Sequence, residues 1–447
     1  MNRIKKWIAL CLAGAITAVS SLGSAINTQA AEYWPDNVSV TSGAAIVVEM
    51  ETGTVLYEKN ADTSHYPASI TKVMTALLAL ENCDLDEIVT FSEEAVYGNE
   101  GDTSHIAREV GEEMTLENCL YGMMLESANE CAWAIGEHVG GGSMDKFVEM
   151  MNAKAKELGC QESHFNNPSG LNDPQHYTSA YDMALIAQAA YDNETLVEIS
   201  SATTHRIAPT TQNPDGFTIR GEHRLCVTED PSSPYYYPEA IAGKTGYLIK
   251  AGNTLVTYAV KDNRRLVSVI LKGQPRQYFV DGKALLEFGF RSFQNYTIAD
   301  YESRYVTGDE TISLDKGSFR ASDLMIDPDS VVTLPNGASF EDADISLGAL
   351  PEISPENAVA LLTYSYNDRV VGTAYLLAKD GVTIDSDDSA ADAPSSTDIS
   401  TPSEPSAGAD TDTPRPARSN FSLAGVLVTI LIVLLVLAVI SLISWLI

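Results

Sequence analysis

Three short groups of residues in this chain have the types and spacing of a nucleophile, a proton shuttle and an anion clamp. Ser69 and Lys72 form a Ser-x-x-Lys pair, and they are followed by Ser-Ala-Asn at 127–129 and Lys-Thr-Gly at 244–246. A serine hydroxyl is a poor nucleophile until a base takes its proton. A lysine serves as that base only if its pKa falls, which burial and a second nearby cation cause.

The residues around Ser69 favour a catalytic role for it. Pro67 precedes the serine by two positions, and an apolar run to Leu80 predicts a helix that begins near Ser69. Lys72 then lies one turn later on the same face, and the Ser69 backbone N–H becomes one oxyanion donor. The pair alone is a weak signal, because Ser-x-x-Lys recurs at 143–146 and 313–316. A capping serine beside a solvated lysine is the alternative interpretation.

The second group supplies a hydroxyl and an amide. Ser127 can relay a proton between Lys72 and a leaving amine, and the Asn129 amide can hold a substrate carbonyl. Helical spacing over residues 116–139 predicts a helix here, and a cap at a helix end is the alternative role. Another Ser-x-Asn occurs at 365–367, where a hairpin turn is predicted.

The third group predicts an exposed strand beside the reacting centre. Lys244 and Thr245 can bind a carboxylate, and Lys244 can be the second cation that lowers the pKa of Lys72. Gly246 permits close approach of a ligand to the backbone, and the Tyr247 N–H can complete the oxyanion pair. An ordinary strand with a glycine bulge is the alternative.

The elements that must position these groups form a mixed fold. Strand patterns at both ends of the first 295 residues, with helical patterns between them, predict an α/β chain of the α+β kind, in which a helical insert covers one antiparallel sheet. Ser179 is the predicted N-cap of one helix. The predicted elements are the hairpins 44–50 with 54–58 and 253–261 with 264–271, and the helices 147–158 and 179–191.

Both ends of the chain carry membrane signals. Basic residues, an apolar run at 7–19 and small residues near position 30 predict a secretory signal peptide. Residues 421–447 contain no charge and are long enough to cross a hydrocarbon core of about 30 Å. The predicted organisation is a signal peptide at 1–30, the main domain at 31–295, a small all-β domain at 296–380, a disordered acidic Ser/Pro/Thr spacer at 381–420 and a transmembrane helix at 421–447.

Composition restricts the partners. The chain of 447 residues has a formal net charge of -33, which argues against nucleic-acid binding. Five cysteines follow the predicted signal peptide, an odd number without tight spacing, so they predict neither a disulfide framework nor a zinc pattern. The sequence leaves open whether a single disulfide forms. The seven histidines lack His-Glu-x-x-His spacing, and we expect neither a metal nor a cofactor.

Taken together, these groups resemble the low-molecular-mass penicillin-binding proteins of the D-alanyl-D-alanine carboxypeptidase family, serine peptidases of the penicillin-recognising fold. The resemblance covers about residues 33–295 and implies the penicillin-binding/β-lactamase type of sheet with a helical insert. It is carried by the segments 66–77, 167–171, 177–184 and 243–247. Glu130 and Leu248 depart from the family's usual aspartate and threonine, which concerns substrate preference and rate.

The resemblance implies a reaction and its residues. Ser69 attacks the penultimate D-Ala carbonyl of a peptidoglycan stem peptide, Lys72 is the base and Ser127 relays the proton. Lys244 and Thr245 bind the terminal carboxylate, and β-lactam antibiotics acylate the same serine as covalent inhibitors. The catalytic domain is expected on the extracytoplasmic face of the cell membrane, held by the C-terminal helix. A DD-endopeptidase, a β-lactamase or a catalytically degenerate wall-binding protein remain alternatives.

Overall fold

The computed structural model describes residues 33–98, 103–210, 212–227, 230–351 and 353–384. The predicted signal peptide, the spacer beyond residue 384 and the predicted transmembrane helix lie outside these residues. Within the described part of the chain, no helix combines the length and the apolar character needed to cross a bilayer.

Helices occupy the middle of the chain and strands occupy its two ends. Short 3-10 turns lie at Ala68–Thr71, Ala321–Asp323 and Phe340–Asp342. The helices are α1 (Lys72–Asn82), α2 (Glu93–Tyr97), α3 (Leu116–Leu125), α4 (Asn129–Val139), α5 (Met144–Glu157), α6 (Ala180–Tyr191), α7 (Glu194–Ser201), α8 (Gln277–Ser292) and α9 (Ile298–Tyr301). The strands are β1 (Ala44–Glu49), β2 (Val55–Lys59), β3 (Ile88–Thr90), β4 (Glu113–Thr115), β5 (Thr204–Ile207), β6 (Phe217–Arg220), β7 (Ala240–Leu248), β8 (Gly252–Lys261), β9 (Arg264–Gly273), β10 (Phe293–Thr297), β11 (Thr311–Leu314), β12 (Gly317–Arg320), β13 (Leu324–Ile326), β14 (Val331–Pro335), β15 (Asp344–Gly348), β16 (Ala358–Tyr366) and β17 (Arg369–Ala378).

The central sheet joins strands from distant parts of the sequence. Five antiparallel strands lie in the order β2-β1-β9-β8-β7, which confirms the predicted sheet and both of its hairpins. Asp262 and Asn263 connect β8 to β9 with φ angles of 51° and 62°. Positive φ at two successive turn residues matches the twist of the flanking strands, and Asp and Asn tolerate it well.

Strand β1 is buried on both faces, so its sequence is apolar almost throughout. Ile46 and Val48 belong to the core shared with the helical insert. Ala45 and Val47 belong to a second core shared with α8. The period of two between these pairs is that of a pleated strand with a packed layer on each side.

The helical pattern over residues 116–139 is interrupted in the structure. Helix α3 ends at Leu125 and α4 begins at Asn129, with Ser127 between them at a φ of 59°. A residue in the left-handed region cannot continue a right-handed helix, so the single predicted helix is wrong at this point. The interruption places Ser127 between the two helices and Asn129 at the first position of α4.

The other Ser-x-x-Lys and Ser-x-Asn sequences of the chain lie in ordinary structural positions, away from Ser69. Ser143 caps α5 by accepting the Lys146 N–H at 3.3 Å, and Ser313 lies in the hairpin of β11 and β12. The predicted capping role of Ser179 is confirmed, since its Oγ accepts the Asp182 N–H at 3.0 Å. The triplet at 365–367 ends β16 at a turn, as predicted.

A separate β-rich region follows α8. Its main sheet has the order β13-β17-β16-β15, and its apolar side chains form a core of their own. Strand β10 pairs with β14 in one antiparallel ladder. This ladder runs across the predicted domain boundary between residues 295 and 296. The boundary itself stays a prediction. Buried Glu49 in β1 accepts hydrogen bonds from Thr52 and Asn295, which ties the two regions together.

Candidate active site

Ser69 lies in the tight turn that leads directly into α1. The 3-10 turn Ala68–Thr71 continues into the helix at Lys72, so serine and lysine face the same side, as predicted. Ala68 has a φ of 52°, and Gly170 packs against its carbonyl so closely that any side chain at Gly170 would collide with it. The backbone around the serine is therefore held between neighbouring segments.

The Lys72 amino group is completely buried and surrounded by acceptors. Its Nζ lies 2.9 Å from Ser69 Oγ, 2.7 Å from Asn129 Oδ1 and 3.0 Å from the Ser169 carbonyl oxygen. Three hydrogen bonds are all that an ammonium group can donate. The acceptors come from three different segments, so the position of Lys72 depends on the assembled fold.

Two causes make Lys72 a better base than an ordinary lysine. Burial is the larger, and the positive charge of Lys244 is the second; together they hold the pKa of Lys72 well below its usual value of 10.5. The negative charge of Glu130 opposes this shift and is outweighed. The sequence-based expectation that burial and a second cation lower this pKa is confirmed in direction.

The three acceptors also decide how the neutral amine is oriented. Asn129 Oδ1 and the Ser169 carbonyl oxygen can only accept hydrogen bonds, whereas the Ser69 hydroxyl can accept or donate. A neutral lysine has two N–H donors and one lone pair. When Lys72 loses its proton, the two N–H groups satisfy the two carbonyl oxygens, and the lone pair is left facing the Ser69 hydroxyl.

The Ser169 carbonyl is held in place by its own loop. Asn167 Oδ1 accepts the Gly170 N–H at 2.7 Å, and the Thr75 hydroxyl on α1 donates to the Pro168 carbonyl at 2.7 Å. The loop is thus fastened to the helix that carries Lys72. The contact between Lys72 and the Ser169 carbonyl was not predicted from the sequence, because every residue has a backbone oxygen and no residue type indicates which one is used.

The break between α3 and α4 places two predicted residues at the site. Ser127 is almost buried and lines the same cleft as Ser69. Lys72 donates to the oxygen of the Asn129 amide, which leaves the amide nitrogen available to donate to a ligand. The Asn129 backbone N–H donates to the Ser104 carbonyl, and the Glu130 carboxylate accepts the Ile106 N–H at 2.6 Å. These two bonds hold the neighbouring wall of the cleft in place.

Strand β7 forms the opposite wall of the cleft, and the predicted binding of a carboxylate by its residues Lys244 and Thr245 stays a prediction. The strand is at the sheet edge, as an exposed strand requires, but the Lys244 side chain is only 1% exposed and is not among the residues that line the cleft. Its Nζ donates to the Thr245 carbonyl at 2.8 Å. Burial lowers the pKa of Lys244 to about 8, with a smaller opposing effect of Glu222.

Gly246 lets β7 approach the serine turn. A Cβ at this position would lie 2.8 Å from the Ser69 backbone nitrogen and would also collide with the Thr254 hydroxyl. That hydroxyl donates to the Pro67 carbonyl at 2.8 Å and so anchors the turn to the sheet. The Ser69 N–H and the strand segment containing Tyr247 are thereby brought to one side of the cleft, where the oxyanion pair was predicted.

The cleft has a volume of about 360 Å³. Several of the residues that line it were not predicted from the sequence. Glu222 is the only carboxylate among the described lining residues. No group of three metal-ligating side chains lies in the described cleft lining. The lining residues are Ser69, Thr103, Ser104, Ser127, Asn129, Gly170, Leu171, Glu222, Thr245, Gly246, Tyr247, Leu248, Ile249 and Tyr278.

Comparison with known sequences finds several D-alanyl-D-alanine carboxypeptidases. The family profile described as D-alanyl-D-alanine carboxypeptidase matches residues 28–274. D-alanyl-D-alanine carboxypeptidase DacF of Bacillus subtilis is 33% identical over 262 residues, which are 57% of this chain and 64% of that protein's length. D-alanyl-D-alanine carboxypeptidase DacB2 of Mycobacterium tuberculosis is 32% identical over 263 residues, which are 57% of this chain and 85% of the relative.

Solved structures show the same architecture. The DD-transpeptidase of Streptomyces K15 matches with a TM-score of 0.52 and 28% identity, over 57% of this chain and 99% of that one. Penicillin binding protein 5 from Haemophilus influenzae matches with a TM-score of 0.61 over 77% of this chain and 98% of that one. Its identity is 24%, so this second likeness is one of fold.

The close approach of β7 to the serine turn predicts that Gly246→Ala disables the site. The added methyl group has to displace the Ser69 backbone nitrogen or Thr254, and a shift of about 1 Å at a reacting group can cost on the order of 100-fold in rate. We expect the acylation rate of Ser69 by a fluorescent penicillin to fall by about that factor. Gly337→Ala, at a glycine with open space around it and no positive φ, is the control. Equal acylation rates for Gly246→Ala and the unmodified chain would contradict the assigned contact.

Proposed function

The chain belongs to the D-alanyl-D-alanine carboxypeptidase family, and we propose that it removes the terminal D-Ala from peptidoglycan stem peptides through an acyl-enzyme on Ser69. The fold is that of the penicillin-binding DD-peptidases. The observation that carries the proposal is the buried Lys72 amine, 2.9 Å from Ser69 Oγ, with two obligate acceptors as its other partners. That arrangement aims a lone pair at the serine proton.

The first half of the reaction forms the acyl-enzyme. Lys72 takes the Ser69 proton as Oγ bonds to the penultimate D-Ala carbonyl carbon, and negative charge develops on the carbonyl oxygen. The backbone N–H groups of Ser69 and Tyr247 stabilise that oxygen. The C–N bond then breaks, and the proton passes from Lys72 through Ser127 to the leaving amine, so free D-Ala departs.

Substrate orientation follows from the cleft walls. The Asn129 amide nitrogen donates to a backbone carbonyl of the stem peptide. The terminal carboxylate lies against Thr245, which lines the cleft, while the buried Lys244 next to it supplies positive potential. A buried cation acts strongly on a nearby anion because little water screens it.

The second half of the reaction releases the shortened peptide. Water attacks the acyl carbonyl, its proton moves to Lys72 and then to Ser69 Oγ, and the ester bond breaks. β-Lactams follow the first half, because their ring amide is attacked in the same way. The amine released from the ring stays covalently attached to the acyl group, so it obstructs the water and the adduct persists.

The protein is proposed to be exported and held at the membrane with the catalytic domain outside. The basic and apolar residues at 1–30 support export, and the uncharged segment 421–447 supports a single-pass anchor. Peptidoglycan lies outside the cytoplasmic membrane, which agrees with this orientation. The acidic segment 381–420 then serves as a spacer between the domains and the anchor.

Replacement of the nucleophile is the direct test of the activity. Ser69→Ala should abolish both the covalent adduct with fluorescent penicillin and the release of D-Ala from a stem pentapeptide. Ser143→Ala is the matched control, because it removes the serine of another Ser-x-x-Lys sequence that serves only as a helix cap. Adduct formation and D-Ala release are measured on the same samples. Adduct formation by Ser69→Ala, or equal loss in both variants, would refute the nucleophile assignment.

The buried lysines predict a bell-shaped pH dependence of penicillin acylation. The rate rises as Lys72 loses its proton and falls as Lys244 becomes neutral around pH 8. Lys244→Arg keeps a positive charge at every accessible pH and should extend the alkaline limb by at least one pH unit. Lys244→Gln should lower the rate about 10- to 100-fold at pH 7, consistent with the loss of a charged hydrogen bond. An alkaline limb that Lys244→Arg leaves unchanged would show that another group sets it.

Removal of residues 421–447 tests the proposed anchor. The full chain should sediment with membranes and be degraded by protease added outside the cell, whereas the shortened chain should appear in the soluble extracytoplasmic fraction. Penicillin labelling should be the same for both chains. A shortened chain that still sediments with membranes would place the anchor elsewhere, and a protease-protected full chain would refute the orientation.

A further inference from the structure

Three metal-ligating side chains meet in the helical insert, outside the cleft lining. Cys83 caps the C-terminus of α1, Glu87 directly precedes β3, and His138 lies in the last turn of α4. One ligand atom from each residue lies within 4.8 Å of the other two. We propose that Cys83, Glu87 and His138 bind one divalent transition-metal ion of the zinc type, with water as the fourth ligand.

The donor atoms fit that class of ion. Thiolate sulfur, imidazole nitrogen and carboxylate oxygen are the ligands that zinc takes in tetrahedral sites, at roughly 2.0–2.3 Å from the metal. Such bond lengths place neighbouring ligand atoms about 3.3–3.7 Å apart. His138 Nε2 and Glu87 Oε2 are 2.8 Å apart in a hydrogen-bonded pair. A metal ion that replaces the shared proton separates them by about half an ångström, which side-chain rotation can supply.

The backbone orients Glu87 for such a role. The Asp84 N–H donates to Glu87 Oε1 at 2.8 Å, which leaves Oε2 directed at His138. The Leu116 N–H donates to the Glu87 carbonyl at 2.8 Å, so the segment before β3 is fastened to the start of α3. Hydrogen bonds of this kind, made to a ligand by groups outside the coordination sphere, fix ligand orientation in metal sites.

The local charge also favours a cation. The carboxylates of Glu87 and Asp84 both act on the Cys83 thiol and place a negative field at this cluster. The same negative field attracts a divalent ion, which displaces the thiol proton when it binds. The binding step therefore releases the Cys83 proton, and any proton held between His138 and Glu87, to solvent.

A bound ion would link two elements of the catalytic site at a distance. Helix α1 starts with Lys72 and is capped at its C-terminus by Cys83, and α4 starts with Asn129 and has His138 in its last turn. The metal would hold the far ends of both helices together, so the expected effect is on stability rather than on the chemical step. The sequence did not show the cluster, because its residues come from three elements and match no metal-binding spacing.

Spectroscopic titration of the full chain tests the site. The protein is treated with a chelator, the chelator is removed, and Co²⁺ is added as the probe. We expect one equivalent to produce a thiolate-to-cobalt band in the near ultraviolet, and Zn²⁺ to remove that band. Cys83→Ala should abolish it, and His138→Gln should weaken Co²⁺ binding at least tenfold. Cys160→Ala is the control, since it removes another half-buried thiol that bonds to a backbone carbonyl.

Thermal unfolding adds a readout that does not depend on the thiolate band. Zn²⁺ should raise the unfolding temperature of the unmodified chain and of Cys160→Ala, and leave that of Cys83→Ala unchanged, because a ligand that binds only the folded state stabilises it. Penicillin labelling of each variant verifies folding. A missing band in the unmodified chain, or a band that Cys83→Ala retains, would overturn the proposal and leave a His138–Glu87 ion pair beside a free thiol.

Discussion

The burial of the Lys72 amino group is the constraint on which the rest of the site depends. A buried ammonium group is costly unless every donor is paired, and the three acceptors of Lys72 come from the serine turn, the start of α4 and the loop at 167–170. The sheet, the interrupted helix and the glycine contacts all serve to bring these segments together. The catalytic arrangement is therefore a property of the tertiary structure more than of the motif at 69–72.

A second buried lysine sets the electrostatics of the cleft. Burial lowers the pKa of both Lys72 and Lys244, and the charge of Lys244 lowers that of Lys72 further, while Glu130 and Glu222 partly compensate at Lys72 and Glu222 at Lys244. The two lysines lie in different surroundings, which allows one to act as the base and the other as the cation. Different pKa values in neighbouring titratable groups are a common basis for acid–base catalysis.

Local patterns predicted much of this molecule from its sequence. The hairpins of the central sheet followed from strand alternation and turn residues, and the pairing of Ser69 with Lys72 followed from helical spacing. The helix pattern at 116–139 did not indicate the break between α3 and α4. The apolar period continues across Ser127, whose backbone adopts the left-handed conformation. The Ser169 carbonyl and the burial of the Lys244 side chain were not predictable, since they depend on contacts between segments that only the folded chain makes.

Direct titration of Lys72 tests the central claim most closely. NMR of the chain labelled with ¹³C at lysine Cε, with the resonance assigned by its absence in Lys72→Arg, gives the midpoint of deprotonation. The account predicts a midpoint for Lys72 well below 10.5, and a higher midpoint in Lys244→Gln because the neighbouring positive charge is gone. A Lys72 resonance that titrates at or above 10.5 in the unmodified chain would contradict the assignment of this residue as the base.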